Sequence, residues 1–277
     1  MITNVRERII ELQLTSARLD VLRTSDRSDS DSYIKRKRKI LESTGIKFNV
    51  HDVNGHDRET LINLIQNLNS DPKVHGILVQ FPLGNHLQRI FKSEELMELV
   101  DWRKDVDGFH PLNMIHSMHK CKSMPLYFES CTPKAVMRLL KEMEIELKGV
   151  DVVLIGKSRV VGLPLLQQLL AVGATVQTCH KSTLNLPQKC QQAEILIVAA
   201  GCTNLVKAGW IRPGAIVIDI GVNYDMEGNL IGGDVEYSGA KDVASYITPV
   251  PGGIGPLTIA ALAENVLKSA LYHQNKH

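Results

Sequence analysis

The feature that most constrains the fold is the alternation of helical patterns with short apolar strand patterns along the chain. In the first half, helices are predicted at Val5–Leu14, Ser32–Thr44, Arg58–Leu68 and Glu94–Leu99, and strands at Arg18–Leu22, Lys47–Val50 and Gly76–Gln80. In the second half, helices are predicted at Pro133–Met143 and Pro164–Val172, and strands at Val150–Ile155, Thr175–Thr178, Ile195–Ala199 and Ala215–Ile220. Such alternation predicts an α/β fold with parallel sheets. The run Ile195–Ala200 is apolar throughout, which is typical of a strand buried on both faces.

The break between the two halves is predicted near Cys131. There the sequence Cys-Thr-Pro favours a new helix with Thr132 as its N-cap and Pro133 as its first residue. A chain of 277 residues has room for two medium domains. We therefore expect an N-terminal domain over residues 1–130 and a second domain over residues 131–257.

Composition excludes several classes of protein. A net charge of +2 gives no general reason to expect a nucleic-acid or membrane partner. No apolar run reaches the roughly 20 residues that a bilayer-spanning helix needs. The mixed charge of the first eight residues fits neither a signal peptide nor a transit peptide, so a cytoplasmic location is expected.

The cysteines and histidines do not predict a metal site. The five cysteines form no C-x-x-C pair, and reduced, mostly buried thiols are expected at Cys121, Cys131, Cys179, Cys190 and Cys202. The histidines at positions 110, 116 and 119 form no H-x-x-x-H pair.

A glycine turn after the predicted strand Val150–Ile155 indicates a dinucleotide site. The turn runs from Gly156 to Gly162 and leads into a helix, an arrangement that binds a pyrophosphate on free backbone N–H groups. Ser158 stands where the second glycine of G-x-G-x-x-G would be, so the phosphates are expected to approach differently.

The next strand favours NADP as the dinucleotide. NAD sites usually carry an acidic residue about 20 positions after the first glycine. No Asp or Glu occurs here between Asp151 and Glu194. Lys157 and Lys181 would instead flank the ribose and suit a 2′-phosphate. The alternative is that both lysines are merely solvated.

Three further segments carry candidate chemical groups. Tyr33 and Lys37 are spaced i, i+4, so a helix puts them on one face. Lys37 also lies in a run of five basic residues, and these cationic neighbours are expected to lower its pKa. Gln80 ends a predicted strand, at the edge where α/β sites lie. Asp105 and Asp107 follow in a turn-rich loop. The ordinary alternatives are a solvated helix face and a simple Asp-Gly turn.

The fourth segment, Ile247–Ala260, is rich in residues that shape the backbone. Three prolines and three glycines lie between Pro249 and Pro256, and an apolar helical run, Leu257–Leu271, follows. Proline fixes φ, whereas glycine permits a positive φ and close approach of a ligand to the main chain. The ordinary alternative is a loop that leads into a terminal helix.

Taken together, these segments resemble the bifunctional methylenetetrahydrofolate dehydrogenase/methenyltetrahydrofolate cyclohydrolase family, from about Arg18 to the C-terminal helix. The shared motifs are Tyr-x-x-x-Lys, Val-Gln-x-Pro-Leu, Lys-Asp-Val-Asp-Gly, Gly-x-Ser-x-x-Val-Gly-x-Pro and Pro-Val-Pro-Gly-Gly-x-Gly-Pro-x-Thr. The resemblance implies an N-terminal folate domain completed by the C-terminal helix, residues 258–277. It also implies a Rossmann-type NADP-binding domain, a folate cleft between the domains, and a homodimer. It implies NADP-dependent oxidation of 5,10-methylenetetrahydrofolate and hydrolysis of the methenyl product to 10-formyltetrahydrofolate, within the one-carbon metabolism that serves purine biosynthesis.

The resemblance also implies residue roles. Catalytic roles fall on Lys37, Gln80, Tyr33 and Asp107, with Lys37 essential to hydrolysis and Gln80 its partner. The substrate-binding set is Tyr33, Val79, Gln80, Phe81, Asp107, Pro251, Gly252, Gly253, Ile254 and Gly255. The cofactor-binding set is Gly156, Lys157, Ser158, His180, Lys181, Ser182 and Val222. No metal is implied.

The sequence departs from the family pattern in three places. Lys157 stands where members usually have Arg, and Ser25 where a glycine usually follows the first strand. The family's opening strand and the start of its first helix are expected to be missing, and there is no room for a formyltetrahydrofolate synthetase domain. Two alternatives stay open: a member with dehydrogenase activity alone, and a non-catalytic nucleotide- or RNA-binding protein that uses Lys35–Lys39.

Overall fold

The computed structural model describes residues 2–11, 17–119, 126–225 and 227–274, with only the backbone given at 118 and 119. The chain divides into two compact units. The first unit comprises residues 1–131 and 259–277, and the second comprises residues 132–258. Cys121, the predicted end of the first helix at residues 12–14, and the end of the C-terminal helix at residues 275–277 lie outside the described residues.

The first unit is built on a three-stranded parallel sheet. Its strands are β1 (Arg18–Arg23), β2 (Lys47–Asp52) and β3 (Gly76–Gln80), in the order β2-β1-β3. Its helices are α1 (Ile2–Glu11), α2 (Ser28–Ser43), α3 (Arg58–Ser70), α4 (Asn85–Ile90), α5 (Ser93–Leu99) and α6 (Pro111–His119). All five β3 residues are buried because helices cover both faces of this strand.

The second unit is built on a five-stranded parallel sheet of order β10-β7-β6-β4-β5. Its strands are β4 (Asp151–Ile155), β5 (Thr175–Cys179), β6 (Ile195–Val198), β7 (Ile216–Asp219) and β10 (Tyr246–Ile247), with a small antiparallel pair, β8 (Asn223–Tyr224) and β9 (Leu230–Gly232). Its helices are α7 (Cys131–Glu142), α8 (Gly162–Ala171), α9 (Leu186–Gln191) and α10 (Tyr237–Ala240), with a 3₁₀ turn at Ala208–Trp210. The predicted parallel sheets are confirmed, and β6 is buried along its whole length.

The last helix, α11 (Ile254–Gln274), begins in the second unit and ends in the first. Ile254 packs in the second unit's core with Leu154 and Ile218. Leu262 and Val266 are fully buried in the first unit's core. The first unit is therefore made from two stretches of chain that are distant in sequence.

Six of the seven predicted helices begin earlier than predicted, among them α2, α7 and α11. Helix α2 begins at Ser28 rather than Ser32, because Asp29 and Asp31 in its first turn favour the helix N-terminus. Helix α7 begins at Cys131, so Thr132 lies inside the helix and is not its N-cap. Helix α11 begins at Ile254, before Pro256. Proline is tolerated in the first turns of α7 and α11, because the N–H groups of a first turn have no partner within the helix.

Short elements were missing from the prediction. These are α4, α6, α9, α10 and the strands β8, β9 and β10. Each has ten residues or fewer, which is too few for a clear periodic pattern. Within the described ranges, no helix is both long enough and apolar enough to cross a membrane.

Candidate active site

The side chain of Lys37 is buried in the first unit beside Gln80 and Tyr33. Its Nζ donates a hydrogen bond to Oε1 of Gln80 at 3.1 Å and lies 4.6 Å from the centre of the Tyr33 ring. Lys37 is 4% exposed and Gln80 is 6% exposed. The predicted shared face of Tyr33 and Lys37 is thus confirmed, and Gln80 reaches the same point from another element.

The position of Gln80 is fixed by the end of strand β3. Its Nε2 donates to the carbonyl oxygen of Phe81 at 2.9 Å, which turns Oε1 toward Lys37. Its own carbonyl oxygen accepts a hydrogen bond from Oγ1 of Thr24, just after β1. The pair therefore lies at the carboxyl edge of the parallel sheet, where the functional groups of α/β proteins converge.

Burial dominates the electrostatics of this cluster. It lowers the pKa of Lys37, and the carboxylate of Asp107 and the thiol of Cys131 oppose that shift. It raises the pKa of Asp107, and Lys37 opposes that shift. Burial disfavours the charged form of each group, so the pKa of Lys37 falls and the pKa of Asp107 rises.

The predicted cause of the lowered Lys37 pKa was wrong. The four basic neighbours of Lys37 in the run are all exposed: Lys35, Arg36, Arg38 and Lys39. Exposed charges are screened by water, whereas Lys37 loses its hydration inside the unit. The run is thus a solvated helix face with one buried member, because Lys37 alone falls on the inward side of α2.

The loop that carries Asp107 is held from two sides. The buried carboxylate of Asp105 accepts hydrogen bonds from the backbone N–H of His110 at 2.7 Å and from Nδ2 of Asn113 at 2.9 Å. Burial raises the pKa of Asp105 to about 6. From α11, Nδ2 of Asn265 donates to the carbonyl oxygen of Val106 at 2.8 Å. Sequence analysis missed Asn113 and Asn265, because neither belongs to a motif that names a chemical step.

A second feature that sequence analysis missed is Arg23, the last residue of β1. Its guanidinium binds Asp31 at 2.6 Å, Asp26 at 2.8 Å and Asp52 at 2.7 Å. Asp31 lies in the first turn of α2, and Asp52 ends β2. Arg23 thus ties the start of the Lys37 helix to the carboxyl edge of the sheet.

In the second unit, two glycines of the turn after β4 have no room for a side chain. Gly156 has a φ of 122°, and a Cβ there would overlap with the carbonyl oxygen of Ala199. A Cβ on Gly162 would overlap with the carbonyl oxygen of Gly156. The turn therefore presents bare backbone, which suits close approach of a dinucleotide.

The predicted free N–H groups of this turn are not all free. Oγ of Ser158 accepts hydrogen bonds from the N–H groups of Val161 at 3.2 Å and Gly162 at 3.3 Å. A hydroxyl in place of the second glycine thus occupies N–H groups that the simple pattern would leave for phosphate. The serine at position 158 is therefore the physical reason why fewer N–H groups are free than predicted.

The predicted cofactor side chains lie in three loops of the second unit, after β4, β5 and β7. Lys157, Ser158, Lys181 and Ser182 are exposed, and the Val222 side chain is 47% exposed. His180 is partly buried, and its Nδ1 accepts a hydrogen bond from the N–H of Ser182 at 3.2 Å. No described carboxylate follows the glycine turn before Glu194.

The proline-glycine segment of the second unit lines a pocket of about 370 Å³. Gly252 and Gly253 contribute backbone to it, and most of its other lining residues are apolar, among them Leu139, Met143 and Ile247. The N–H of Gly253 donates to the carbonyl oxygen of Pro249 at 2.9 Å. Pro251 is exposed, Ile254 is buried in the unit's core, and Gly255 is the second residue of α11.

Two predicted substrate residues flank Gln80 differently. Val79 is buried in an apolar cluster with Leu22 and Leu61, and only its main chain faces the sheet edge. Neighbouring residues of a strand point to opposite faces, so Val79 and Gln80 cannot share one side. Phe81 lies beyond the strand and packs against Phe109, with ring centres 6.3 Å apart.

Comparison with known families decides the identity of this arrangement. Residues 1–107 match the catalytic domain of tetrahydrofolate dehydrogenase/cyclohydrolase, and residues 130–274 match its NAD(P)-binding domain. The chain belongs to the tetrahydrofolate dehydrogenase/cyclohydrolase family. The resemblance drawn from the motifs is thereby confirmed, although the catalytic-domain match begins at residue 1, earlier than the predicted start at Arg18.

Relatives and solved structures of this family agree over nearly the whole chain. The bifunctional protein FolD of Campylobacter jejuni is 45% identical over 253 residues, 91% of this chain and 87% of the relative. A crystal structure of the C. jejuni bifunctional enzyme has a TM-score of 0.89 at 41% identity and covers 100% of this chain and 95% of that one. The Trypanosoma brucei enzyme, solved with NADP cofactor and an inhibitor, has a TM-score of 0.89 at 30% identity, with coverage of 98% and 93%.

Proposed function

We propose that this chain is a bifunctional folate enzyme. It oxidises 5,10-methylenetetrahydrofolate with NADP and hydrolyses the resulting 5,10-methenyltetrahydrofolate to 10-formyltetrahydrofolate. Both steps in one chain are supported by a feature of each unit. The first unit contains the buried hydrogen bond from Lys37 to Gln80, and the second unit carries a dinucleotide-type glycine turn. A member with dehydrogenase activity alone would have no need of a buried lysine with a lowered pKa.

In the hydrolytic step, Lys37 moves protons. A neutral Nζ takes a proton from water as the water oxygen forms a bond to the bridging carbon of the methenyl cation. The same ammonium then gives a proton to N5 as the C–N5 bond breaks, while the new hydroxyl loses its proton and becomes the formyl carbonyl. One proton is released overall. Gln80 orients Nζ through Oε1, because its own amide N–H is held by Phe81.

The folate ring system is bound by neighbours of Lys37. The ring of Tyr33 stacks on the substrate, and Asp107 hydrogen-bonds the pterin. Both residues already lie within reach of Lys37, since the Tyr33 ring is 4.6 Å from Nζ and Asp107 acts on the Lys37 charge. The remaining proposed substrate-binding residues are Phe81 in the first unit and, in the second, Pro251, Gly252, Gly253 and Gly255.

NADP supplies the hydride acceptor when it is bound. The glycine turn fits this cofactor because its backbone is packed too tightly at Gly156 and Gly162 for a Cβ, as in dinucleotide-binding turns. Lys157 and Lys181 would hold the 2′-phosphate, and Ser158, His180, Ser182 and Val222 are the other side chains proposed to hold the cofactor. Hydride transfer produces a nitrogen-stabilised cation, so this step needs positioning more than acid–base groups.

The wider setting follows from the same proposal. The enzyme works as a homodimer in the cytoplasm, takes a small-molecule folate rather than a nucleic acid, and supplies formyl groups to purine biosynthesis. Light scattering of the purified protein tests the oligomeric state, and a molecular mass of one chain, 30.8 kDa, would contradict the dimer.

An absorbance assay tests the function. Purified protein is given 5,10-methylenetetrahydrofolate with NADP or with NAD and, separately, 5,10-methenyltetrahydrofolate alone. We expect reduction of NADP in the first reaction and loss of the methenyl absorbance in the second. Folded protein that does only the first would be a dehydrogenase alone, and folded protein that does neither would overturn the proposal.

A further inference from the structure

Two buried carboxylates lie in the second unit outside the predicted cofactor set. Asp219 is the last residue of β7 and is 3% exposed, and Asp234 follows β9 and is fully buried. Charged carboxylates are rarely buried unless they are fully hydrogen-bonded. Every partner of these two is a backbone N–H or an amide, so their role is to hold the main chain.

Asp234 holds the turn that follows β6. Its carboxylate accepts from three consecutive backbone N–H groups, those of Ala200 at 2.6 Å, Gly201 at 2.9 Å and Cys202 at 2.8 Å. A trans peptide points its C=O opposite to its N–H. The carbonyl oxygens of Ala200 and Gly201 are therefore turned away from Asp234.

Asp234 also reaches the loop that follows β7. Its Oδ1 accepts a hydrogen bond from Nδ2 of Asn223 at 2.9 Å. Gly221 leaves the room for this contact, because a Cβ there would overlap with the Asp234 carboxylate. Val222, a predicted cofactor residue, lies between Gly221 and Asn223 and keeps an exposed side chain.

Asp219 holds Asp234 in turn. Its carboxylate accepts from the N–H groups of Gly221 at 2.9 Å, Asp234 at 3.1 Å and Val235 at 2.9 Å. Its own N–H donates to Oγ1 of Thr248 at 2.8 Å, at the start of the proline-glycine segment. Burial and the neighbouring Asp234 charge raise the pKa of Asp219 to about 6. The ionised form of Asp219 therefore carries a desolvation penalty that its hydrogen bonds offset.

These loops adjoin the glycine turn. Strand β6 pairs with β4 on one side and with β7 on the other. The carbonyl oxygen of Ala199, one residue before the Asp234-bound turn, lies against Gly156. The ends of three neighbouring strands thus form one continuous rim at the carboxyl edge of the sheet, where dinucleotides bind in such folds.

We propose that Asp234, supported by Asp219, is a positioning residue for the dinucleotide, which shapes the backbone of residues 200–202 and 221–223 without touching the cofactor. The proposal rests on the proposed dehydrogenase function. It predicts that weakening this hydrogen-bond network lowers cofactor affinity more than it lowers the rate of hydride transfer.

The test compares Asp234→Asn with Asp242→Asn, a change of an exposed aspartate in the same unit. An amide at 234 presents an NH₂ group to N–H donors and loses the charge. We expect Asp234→Asn to raise the Kd of NADP, measured by calorimetry, and its KM by about tenfold while kcat changes little. Asp242→Asn should change neither Kd nor KM.

Two further readouts separate positioning from general structural damage. Hydrolysis of 5,10-methenyltetrahydrofolate uses no hydride acceptor, so its rate in Asp234→Asn should stay near that of the parent protein. Asn223→Ala, a milder change that leaves both carboxylates in place, should raise the Kd of NADP by about threefold.

A lowered Tm with an unchanged Kd of NADP in both variants would overturn the proposal. If Asp234→Asn does not fold, Asn223→Ala decides by itself. If the parent protein binds NADP but shows no dehydrogenase activity, the proposed function fails, while the Kd comparison still tests the network.

Discussion

The two candidate sites of this protein use different parts of the polypeptide. In the first unit, chemistry depends on buried side chains, with Lys37 bonded to Gln80 at 3.1 Å and its pKa lowered by burial. In the second unit, the glycine turn offers backbone, and the lysines around it, Lys157 and Lys181, are exposed. The first site should therefore be sensitive to charge and pH, and the second to the volume of a single carbon atom.

The contrast also shows where each site gets its precision. Lys37 lies on helix α2, and Arg23 binds the first turn of that helix. Asp107 lies on a loop that is held by hydrogen bonds of Asp105 and Asn265. The glycine turn is placed by strand ends and by buried carboxylates such as Asp234. The side chains of the first site and the backbone of the second site are thus both held in place by residues outside the proposed reaction.

The largest effect should come from Lys37→Met, which keeps the apolar stem but removes the proton carrier. We expect the cyclohydrolase rate to fall by about 10²–10⁴-fold, because positioned acid–base groups contribute about that much. The dehydrogenase rate should survive. Lys39→Met, on the exposed side of the same helix, is the control, and loss of hydrolysis in both variants would contradict the special role of Lys37.

Gly156→Ala should have the opposite selectivity, because it should impair the dehydrogenase and spare the cyclohydrolase. The new Cβ would overlap with the Ala199 carbonyl oxygen at a φ of 122°, with backbone strain of about 1–3 kcal/mol. We expect dehydrogenase kcat/KM to fall by roughly 5–150-fold and hydrolysis to persist. Gly209→Ala serves as the control, since a Cβ there meets nothing within 4 Å. Equal losses of both activities would show that the two sites are not separable in this way.

Removing the two exposed lysines should have a smaller effect. The double variant Lys157→Ala, Lys181→Ala should raise the KM for NADP by about tenfold and leave the KM for NAD nearly unchanged, because NAD has no 2′-phosphate. A matched pair of exposed lysines in the same unit, Lys141→Ala with Lys241→Ala, is the control. Equal effects on both cofactors would remove the 2′-phosphate assignment.

The smallest effect should be a shift in pH dependence from Gln80→Glu. A neutral Lys37 acts as the base, so hydrolysis slows on acidification as Nζ takes up a proton. A carboxylate at position 80 favours the ammonium and raises the pKa of Lys37, so the acidic limb should move upward by about one pH unit. Rates measured from pH 5 to 9 would show this shift. Gln66→Glu adds the same charge at an exposed site and should leave the profile unmoved.

The sequence predicted long elements and single motifs better than it predicted supports. The apolar run of β6 and the glycine turn after β4 each follow from a local pattern, and both are confirmed. The Tyr33–Lys37 face follows from helical spacing. By contrast, Arg23 binds Asp52 and Asn265 binds Val106 across 29 and 159 residues of chain. Partners so far apart leave no local signal, since only the folded topology brings them together.

The cause of the Lys37 pKa shift shows the same limit. Sequence analysis gave the direction correctly but attributed it to neighbouring cations, because these are visible as letters in the run. Burial depends on where the helix sits against the sheet, which depends on residues that are distant along the chain, such as Gln80 beside Lys37. Desolvation is therefore the electrostatic quantity that sequence patterns report least well.

The path of helix α11 has a consequence for synthesis on the ribosome. The first unit's core needs Leu262 and Val266, and its Asp107 loop needs Asn265, yet all three are translated after the whole of the second unit. The second unit is contiguous in sequence and can acquire its full set of contacts earlier. During translation, the segment that bears Lys37 must therefore wait for the last helix, and the nascent chain is expected to acquire dinucleotide affinity before it acquires hydrolytic activity.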